Sequence, residues 1–257
     1  MTMPAAGDAE VRIDLLGRGG LRILQDAAAP GFGLDAVLLA DFATVRAGER
    51  VLDLGTGTGV IPLLLAAKQP ACHICGLELM PQMARLAARS VVLNQLAGRV
   101  QIRCGDIASA AAMFGRATQD VVVSNPPYYR DGAGRLNASP LFAAARSERF
   151  CPLPVLLDST AALLRPQGRF YLVHRAARLA ELVAALEQRS LHVERLRMVQ
   201  PFAGKAANLL LMMAKKQGRG DTEVLPPLVV YCAPGRYGEE MEQIYGRDFI
   251  SGCHTDR

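Results

Sequence analysis

The chain has 257 residues, 51% of them hydrophobic, enough to bury one sizeable core with a small appendage but not two full domains. Its 29 Lys and Arg against 24 Asp and Glu give a net charge of +5, a mild basicity that suits a polyanionic partner without demonstrating one. No uncharged apolar run reaches the roughly 18 residues that a membrane helix needs, and the N-terminus lacks the basic-then-apolar layout of a secretory leader, so a soluble, cytoplasmic protein is expected.

Residues 1–49 precede the first regular pattern and are expected to form an N-terminal cap or arm. From Arg50 onward, short apolar runs at 51–54, 73–77, 100–104 and 120–124 alternate with helix-length segments at 59–68, 81–96 and 107–114. That alternation predicts a parallel sheet with crossover helices. Pro81 suits the first turn of its helix, and Gly98 follows the end of it. Residues 125–140, rich in Pro, Gly and Asn, read as a long loop of the kind that usually carries function. Helical periodicity returns at 141–147 and 155–164, followed by a strand at 169–173 and a helix at 177–188.

Strands at 192–199 and 208–214 are joined so briefly that they must be antiparallel. The predicted fold is therefore α/β: a mostly parallel seven-stranded sheet ending in an antiparallel hairpin, with helices on both faces. This is the layout of the Rossmann-like class I methyltransferases. The main domain is expected over 50–216, with 217–257 a linker and a short C-terminal segment packed on it.

The six cysteines (Cys72, Cys75, Cys104, Cys151, Cys232 and Cys253) show no disulfide rhythm and read as reduced thiols. Cys72 and Cys75 bracket a predicted strand on which residues three apart face opposite ways, and no second Cys/His pair has zinc spacing, so no metal site is expected. His73, His174, His192 and His254 are scattered and read as structural or surface residues.

The first strand runs into Asp53-Leu54-Gly55-Thr56-Gly57-Thr58-Gly59. Glycines at a strand-to-helix turn let a ligand approach the backbone, and exposed amides at the helix start attract an anion. That anion is a pyrophosphate in a nucleotide-binding protein and the methionine carboxylate in a methyltransferase. The Gly55, Gly57 and Gly59 spacing departs from the dinucleotide pattern. Asp53 is a candidate for the donor's ammonium group, Glu78 with Leu79 for the ribose and its surroundings, and Asp106 with Ile107 for the adenine. Singly, Asp53 and Asp106 could be helix caps and Glu78 a solvated strand end. Together they put carboxylates at three strand ends on the edge where open α/β sheets bind ligands, which points to S-adenosylmethionine.

Asn125-Pro126-Pro127-Tyr128 follows the fourth strand at the same edge. Besides a plain proline-rich turn, this tetrapeptide can hold an amino group whose lone pair is delocalised. The Asn125 side-chain oxygen and the Pro126 carbonyl accept its two hydrogens, and Tyr128 covers its planar face. Asn125, Pro126 and Tyr128 are the candidate catalytic residues, with Asn125 also beside the donor.

These motifs resemble the small-domain methyltransferases that act on exocyclic or amide nitrogens. Further matches are Gly31-Phe32-Gly33-Leu34-Asp35-Ala36-Val37-Leu38-Leu39-Ala40, Arg146-Ser147-Glu148, Val173-His174-Arg175, Lys205 and Pro226-Pro227-Leu228-Val229-Val230-Tyr231. They are similar to the bacterial enzymes that methylate N6 of the adenine beside the anticodon of valine tRNA. The resemblance implies tRNA as substrate and a cap around Asp35 near the donor. Pro127, Arg130, Arg146 and Lys205 are candidate substrate contacts, with Arg135, Arg195, Arg197, Lys215 and Lys216 as further phosphate contacts. A single-stranded anticodon loop suits such chemistry because its bases unstack cheaply.

The alternatives are N5-methylation of a glutamine side chain in a protein, guanine N2-methylation of rRNA, and a non-enzymatic RNA- or protein-binding module on the same fold.

Overall fold

The computed structural model describes residues 10–27, 31–127 and 151–246. The expected helix at 141–147 and the residues Tyr128, Arg130, Arg135, Arg146, Cys253 and His254 lie outside them. No helix among the described residues is long and apolar enough to cross a membrane.

The chain opens with an antiparallel hairpin, β1 (Val11–Leu15) and β2 (Arg22–Asp26), and then α1 (Leu34–Phe42). Next come β3 (Arg50–Leu54), α2 (Val60–Lys68), β4 (His73–Glu78), α3 (Pro81–Leu93), β5 (Val100–Cys104), a turn of 3-10 helix at Ile107–Ser109, α4 (Ala110–Phe114) and β6 (Gln119–Ser124). The second half comprises α5 (Leu153–Leu163), β7 (Leu164–Arg175), α6 (Leu179–Glu187), β8 (Leu191–Phe202), β9 (Leu209–Lys216), β10 (Glu223–Ala233), β11 (Arg236–Tyr237) and α7 (Glu239–Tyr245).

The large sheet runs in the order β11-β10-β8-β9-β7-β6-β3-β4-β5. The strands β3 to β9 are the seven expected, parallel except for β9, which pairs antiparallel with both β7 and β8. Beyond them, β10 pairs parallel to β8 and β11 antiparallel to β10. All the parallel strands therefore end on one edge of the sheet.

Alternation along the strands sends side chains into two apolar layers. Val51, Val121 and Val123 join α1, α2, α3 and α7 through residues such as Val37, Leu63, Val91 and Met241. Leu52, Leu54 and Val122 join α4, α5 and α6 on the other face. Asp53, between Leu52 and Leu54, thus points to the α1–α2 face.

The hairpin packs along α3. The Ser90 hydroxyl accepts from the Leu24 amide at 2.9 Å, and the Asn94 side chain accepts from the Arg22 amide at 2.9 Å. The Lys68 ammonium, at the far end of α2, donates to the carbonyls of Asp41 and Ala43 at the end of α1, favourably for the helix dipole. Since α2 leaves the ligand edge of the sheet, this contact places the start of α1, and Asp35, towards that edge.

Candidate active site

The loop after β3 is laid across the end of β4. The Gly55 and Thr56 amides donate to the Leu77 carbonyl at 2.9 and 3.0 Å, and the Gly57 amide donates to Glu78 Oε2 at 2.8 Å. Glycine is needed at Gly59, where φ is +93° and an added Cβ would lie 3.2 Å from the Cβ of Ala87 on α3. The sequence analysis passed over Gly76, which pairs with Asp53 across β3 and β4. A Cβ there would fall 2.8 Å from the Thr56 hydroxyl, so Gly76 is what lets the loop lie this close.

Asp53 is fully buried, and neither of its carboxylate oxygens has a hydrogen-bond partner. The neighbouring Thr56 hydroxyl is buried and also lacks one. Burial pushes the Asp53 carboxyl up to about 7, with the Thr56 hydroxyl opposing and the Glu78 charge adding to the rise. Such an acid is poised to ionise when a cationic group arrives. Glu78 is also buried, and its other oxygen accepts from the Met80 amide at 2.9 Å. Burial raises its pKa while the amides of Met80, Gly57 and Leu79 hold it down.

Leu79 is 39% exposed, an apolar surface beside this carboxylate. Ile107 is buried one strand further on. Asp106 Oδ1 accepts from the Ala108 amide at 2.8 Å, so it does cap the turn that follows β5 while its side chain stays exposed.

β6 ends against β3, where the Ser124 hydroxyl donates to the Leu54 carbonyl at 2.8 Å. Asn125 and Pro127 are half-buried and Pro126 is buried. The start of the tetrapeptide therefore leaves the sheet on the strand adjacent to Asp53, at the edge carrying Glu78 and Asp106.

Asp35 occupies the first turn of α1. It faces Tyr245 of α7, whose phenol is pushed up by burial first and by Tyr237, with Asp35 a smaller contributor. Lys205 is exposed in the turn between β8 and β9, on the ligand edge.

Four other cations expected to meet phosphate are engaged within the protein. Arg195 pairs with Glu223 at 2.8 Å, and Arg197 grips Glu240 through two bonds of 2.6 and 2.8 Å. Lys215 lies 3.5 Å from Glu194, and Lys216 donates to the carbonyls of Ala161 and Leu164 at 2.6 and 2.7 Å. Because β9 runs antiparallel, both lysines end up on the edge opposite the site.

Among the described residues no group of His, Cys, Asp and Glu is arranged to hold a metal ion. Cys72 and Cys75 direct their thiols to the carbonyls of Gln69 and Gly76. His174 is buried and pushed down to about 4, chiefly by burial and then by Arg178, and its Nδ1 accepts from the Arg175 amide at 2.8 Å.

The family model described as methyltransferase small domain matches residues 34–200. The tRNA1(Val) (adenine(37)-N6)-methyltransferase of Aeromonas hydrophila is 33% identical over 222 residues, covering 86% of this chain and 90% of the relative. The protein of the same name from Porphyromonas gingivalis is 30% identical over 238 residues, covering 88% and 92%. The chain belongs to this family of small-domain methyltransferases. Among solved structures, a predicted O-methyltransferase from Agrobacterium tumefaciens superposes with a TM-score of 0.66 at 22% identity, covering 82% of this chain and 95% of that one. At that identity it speaks for the methyltransferase fold alone. Within the family frame, the glycine loop, Asp53, Glu78 and Asn125-Pro126 all fall inside the matched region, whereas β10, β11 and α7 lie beyond it.

Proposed function

We propose that this protein is an S-adenosylmethionine-dependent methyltransferase acting in the cytoplasm on the exocyclic N6 amino group of an adenine in tRNA, beside the anticodon. One observation carries this reading. The chain that leaves β6 at Asn125-Pro126 starts next to β3, whose Asp53 holds two buried, unpartnered carboxylate oxygens at the same sheet edge.

The residues fit the donor. Asp53 offers acceptors to an ammonium group, and the amides at the start of α2 offer donors to a carboxylate. The lone pairs left on Glu78 suit ribose hydroxyls, and exposed Leu79 gives an apolar wall for a base. When bound, the donor supplies an electrophilic methyl group. The protein's own part is positioning. The Asn125 side-chain oxygen and the Pro126 carbonyl accept the two amino hydrogens, which turns the nitrogen's lone pair out of the ring's conjugation. Tyr128 stacks on the adenine, and Lys205 on the same edge meets a phosphate. No strong base is required, because methylation itself acidifies the nitrogen. The family membership and the names of the relatives favour tRNA adenine over the other amino and amide acceptors that this tetrapeptide can hold.

The test is incubation of the purified protein with methyl-labelled donor, bulk tRNA and bulk cellular protein, followed by nucleoside analysis. Label recovered as N6-methyladenosine is expected. Label confined to protein glutamine, or appearing only as N2-methylguanosine when rRNA is supplied, overturns the assignment of acceptor.

A further inference from the structure

Aromatic residues make up only 5% of the chain, yet Tyr231, Tyr237 and Tyr245, three of its six tyrosines, stand together beyond residue 200, where the match to the family model ends. They form a column with Phe202. Phe202 closes β8, and since β10 runs parallel to β8 with Tyr231 opposite Phe202, both residues reach the ligand edge of the sheet. Ring centroids are 5.6 Å apart between Phe202 and Tyr231, 5.3 Å between Tyr231 and Tyr237, and 5.4 Å between Tyr237 and Tyr245. The last two pairs are stacked, at 10° and 17° from parallel. The two ends of the column differ. Tyr245 is buried in the apolar layer that holds α1 and α7, with Asp35 facing its phenol. Phe202 is half-buried and belongs to neither apolar layer of the described residues.

The turn that follows Phe202, Ala203-Gly204-Lys205-Ala206, is exposed throughout, and apart from Lys205 its side chains are too small to cover a ring. Two cations stand on the same edge: Lys205 itself, and Arg175, exposed at the end of β7. Neither has an ion-pair partner among the described residues, unlike Arg195 and Arg197, which pair with Glu223 and Glu240. An open aromatic ring beside unpaired cations suits single-stranded nucleic acid, since any base can stack on the ring while the cations meet phosphates. The place on the edge says which base. From β6, which leads into Asn125, the edge passes β7 and β9 to reach β8, three strand spacings or about 14 Å. That is well beyond the roughly 3.4 Å step between stacked neighbours. The base that meets Phe202 is therefore neither the target nor its stacked neighbour, but one further along the same unpaired loop.

We infer that Phe202 is a stacking platform for an unpaired base of the RNA substrate, a few nucleotides from the one methylated, with the tyrosine column of the C-terminal segment holding the ring from behind. This rests on the acceptor reading proposed above. It gives β10, β11 and α7, which lie beyond the region matched to the family model, a task at the acceptor side of the site.

Binding of the anticodon stem-loop of valine tRNA, the substrate in the relatives' names, tests it by fluorescence anisotropy with S-adenosylhomocysteine present. Phe202→Leu keeps an apolar side chain on Tyr231 but removes the ring. Affinity for the stem-loop is expected to fall about tenfold, while affinity for S-adenosylhomocysteine and the melting temperature stay near wild type. Phe202→Tyr keeps the ring and should bind as wild type does. Salt dependence separates stacking from charge: Lys205→Ala should lower the slope of log affinity against log salt by about 0.7, one phosphate contact on a single strand, whereas Phe202→Leu should leave it unchanged. Stem-loops that each lack one loop base repeat the test on the wild-type protein. One position besides the target should weaken its binding about tenfold, and the same gap should cost Phe202→Leu nothing further. Wild-type affinity in Phe202→Leu, or an equal loss of affinity for S-adenosylhomocysteine, overturns the inference and assigns the ring a structural role. A series in which no base but the target matters overturns it too. A wild-type protein that transfers no methyl group to the stem-loop or to bulk tRNA overturns the acceptor reading and this inference with it.

Discussion

The Gly57 amide donates to Glu78 Oε2 at 2.8 Å, so the carboxylate that ends β4 fastens the glycine loop that leaves β3. The same side chain takes the Met80 amide on its other oxygen at 2.9 Å, which fixes the start of α3. One residue thereby sets the shape of the proposed donor site from two sides. Glu78→Ala is expected to reduce affinity for S-adenosylhomocysteine by about thirtyfold or more, since charged hydrogen bonds are each worth about 1.5–3 kcal/mol. Glu78→Gln should fall between, because its amide oxygen can serve one of the two N–H groups while its NH2 opposes the other. Titration calorimetry on the three proteins checks the order.

Asp53 gives the ligand-free protein a pH signature. The unfolded carboxyl ionises near 3.8 and the folded one near about 7, so between those values the folded state holds a proton that the unfolded state has lost. Its contribution to stability is therefore present in full at the acid end and is lost as pH rises to about 7. Buried His174 acts in the opposite sense, since its pKa is lowered from 6.5 to about 4 and its contribution is lost as pH falls through that range. Comparing wild type with Asp53→Asn by urea unfolding at several pH values cancels the histidine. The stability of the variant relative to wild type should climb from acid to neutral pH. Donor binding should show the reverse: affinity for S-adenosylhomocysteine rises with pH to about 7 in the wild type as Asp53 ionises to meet the ammonium, and this slope is absent from Asp53→Asn.

A buried ion pair joins the two halves of the sheet. Arg169 on β7 lies 2.7 Å from Glu49 just before β3, and both side chains are nearly covered. Arg169 also donates to the Thr44 carbonyl at 3.1 Å, so the segment after α1 is tied to the same point. Removing one member leaves an uncompensated buried charge, and Arg169→Met is expected to destabilise the protein by about 3 kcal/mol. The double variant Arg169→Met with Glu49→Gln should recover much of that loss. Urea midpoints read the effect, and turnover well below the melting temperature should stay near wild type because the pair lies away from the ligand edge.

The strands from β3 to β9 were legible because most are continuous apolar runs, the pattern of a sheet covered on both faces. The elements that escaped have physical reasons. In β1 the alternation of Val11, Ile13 and Leu15 is present, but Ile13 and Leu15 are each 55% exposed, so their apolar face looks away from the core. Pro226 and Pro227 argue against a strand, yet β10 accommodates them at a register shift between Leu225 and Leu228. Pro166 and Gly168 likewise hid the first part of β7, which bends where Gln167 adopts φ +65°. Of the site, the residues at strand ends were readable because topology alone puts them on one edge. Gly76 was not, since a strand glycine acquires meaning only from what packs against it. Lys215 and Lys216 close a strand read as antiparallel, and that alone sets them on the edge opposite the turn that carries Lys205.

Asn125 is the sharpest point of contact between geometry and chemistry. Its backbone leaves the end of β6, where the Ser124 hydroxyl is bonded to the Leu54 carbonyl at 2.8 Å. Its proposed work lies in the transition state, where the amino nitrogen becomes pyramidal and its hydrogens need fixed acceptors. Loss of one such preorganised partner typically costs about a hundredfold or more in turnover. Asn125→Ala is accordingly expected to lower methyl transfer to tRNA by about that factor, with affinity for S-adenosylhomocysteine and the melting temperature close to wild type. Asn125→Asp keeps an acceptor oxygen in the same place and should retain more activity than the alanine variant. The decisive comparison is single-turnover transfer measured beside calorimetry on the same preparations. Wild-type turnover in Asn125→Ala would remove the residue from the mechanism, and a parallel loss of donor affinity would move its role from the acceptor to the donor.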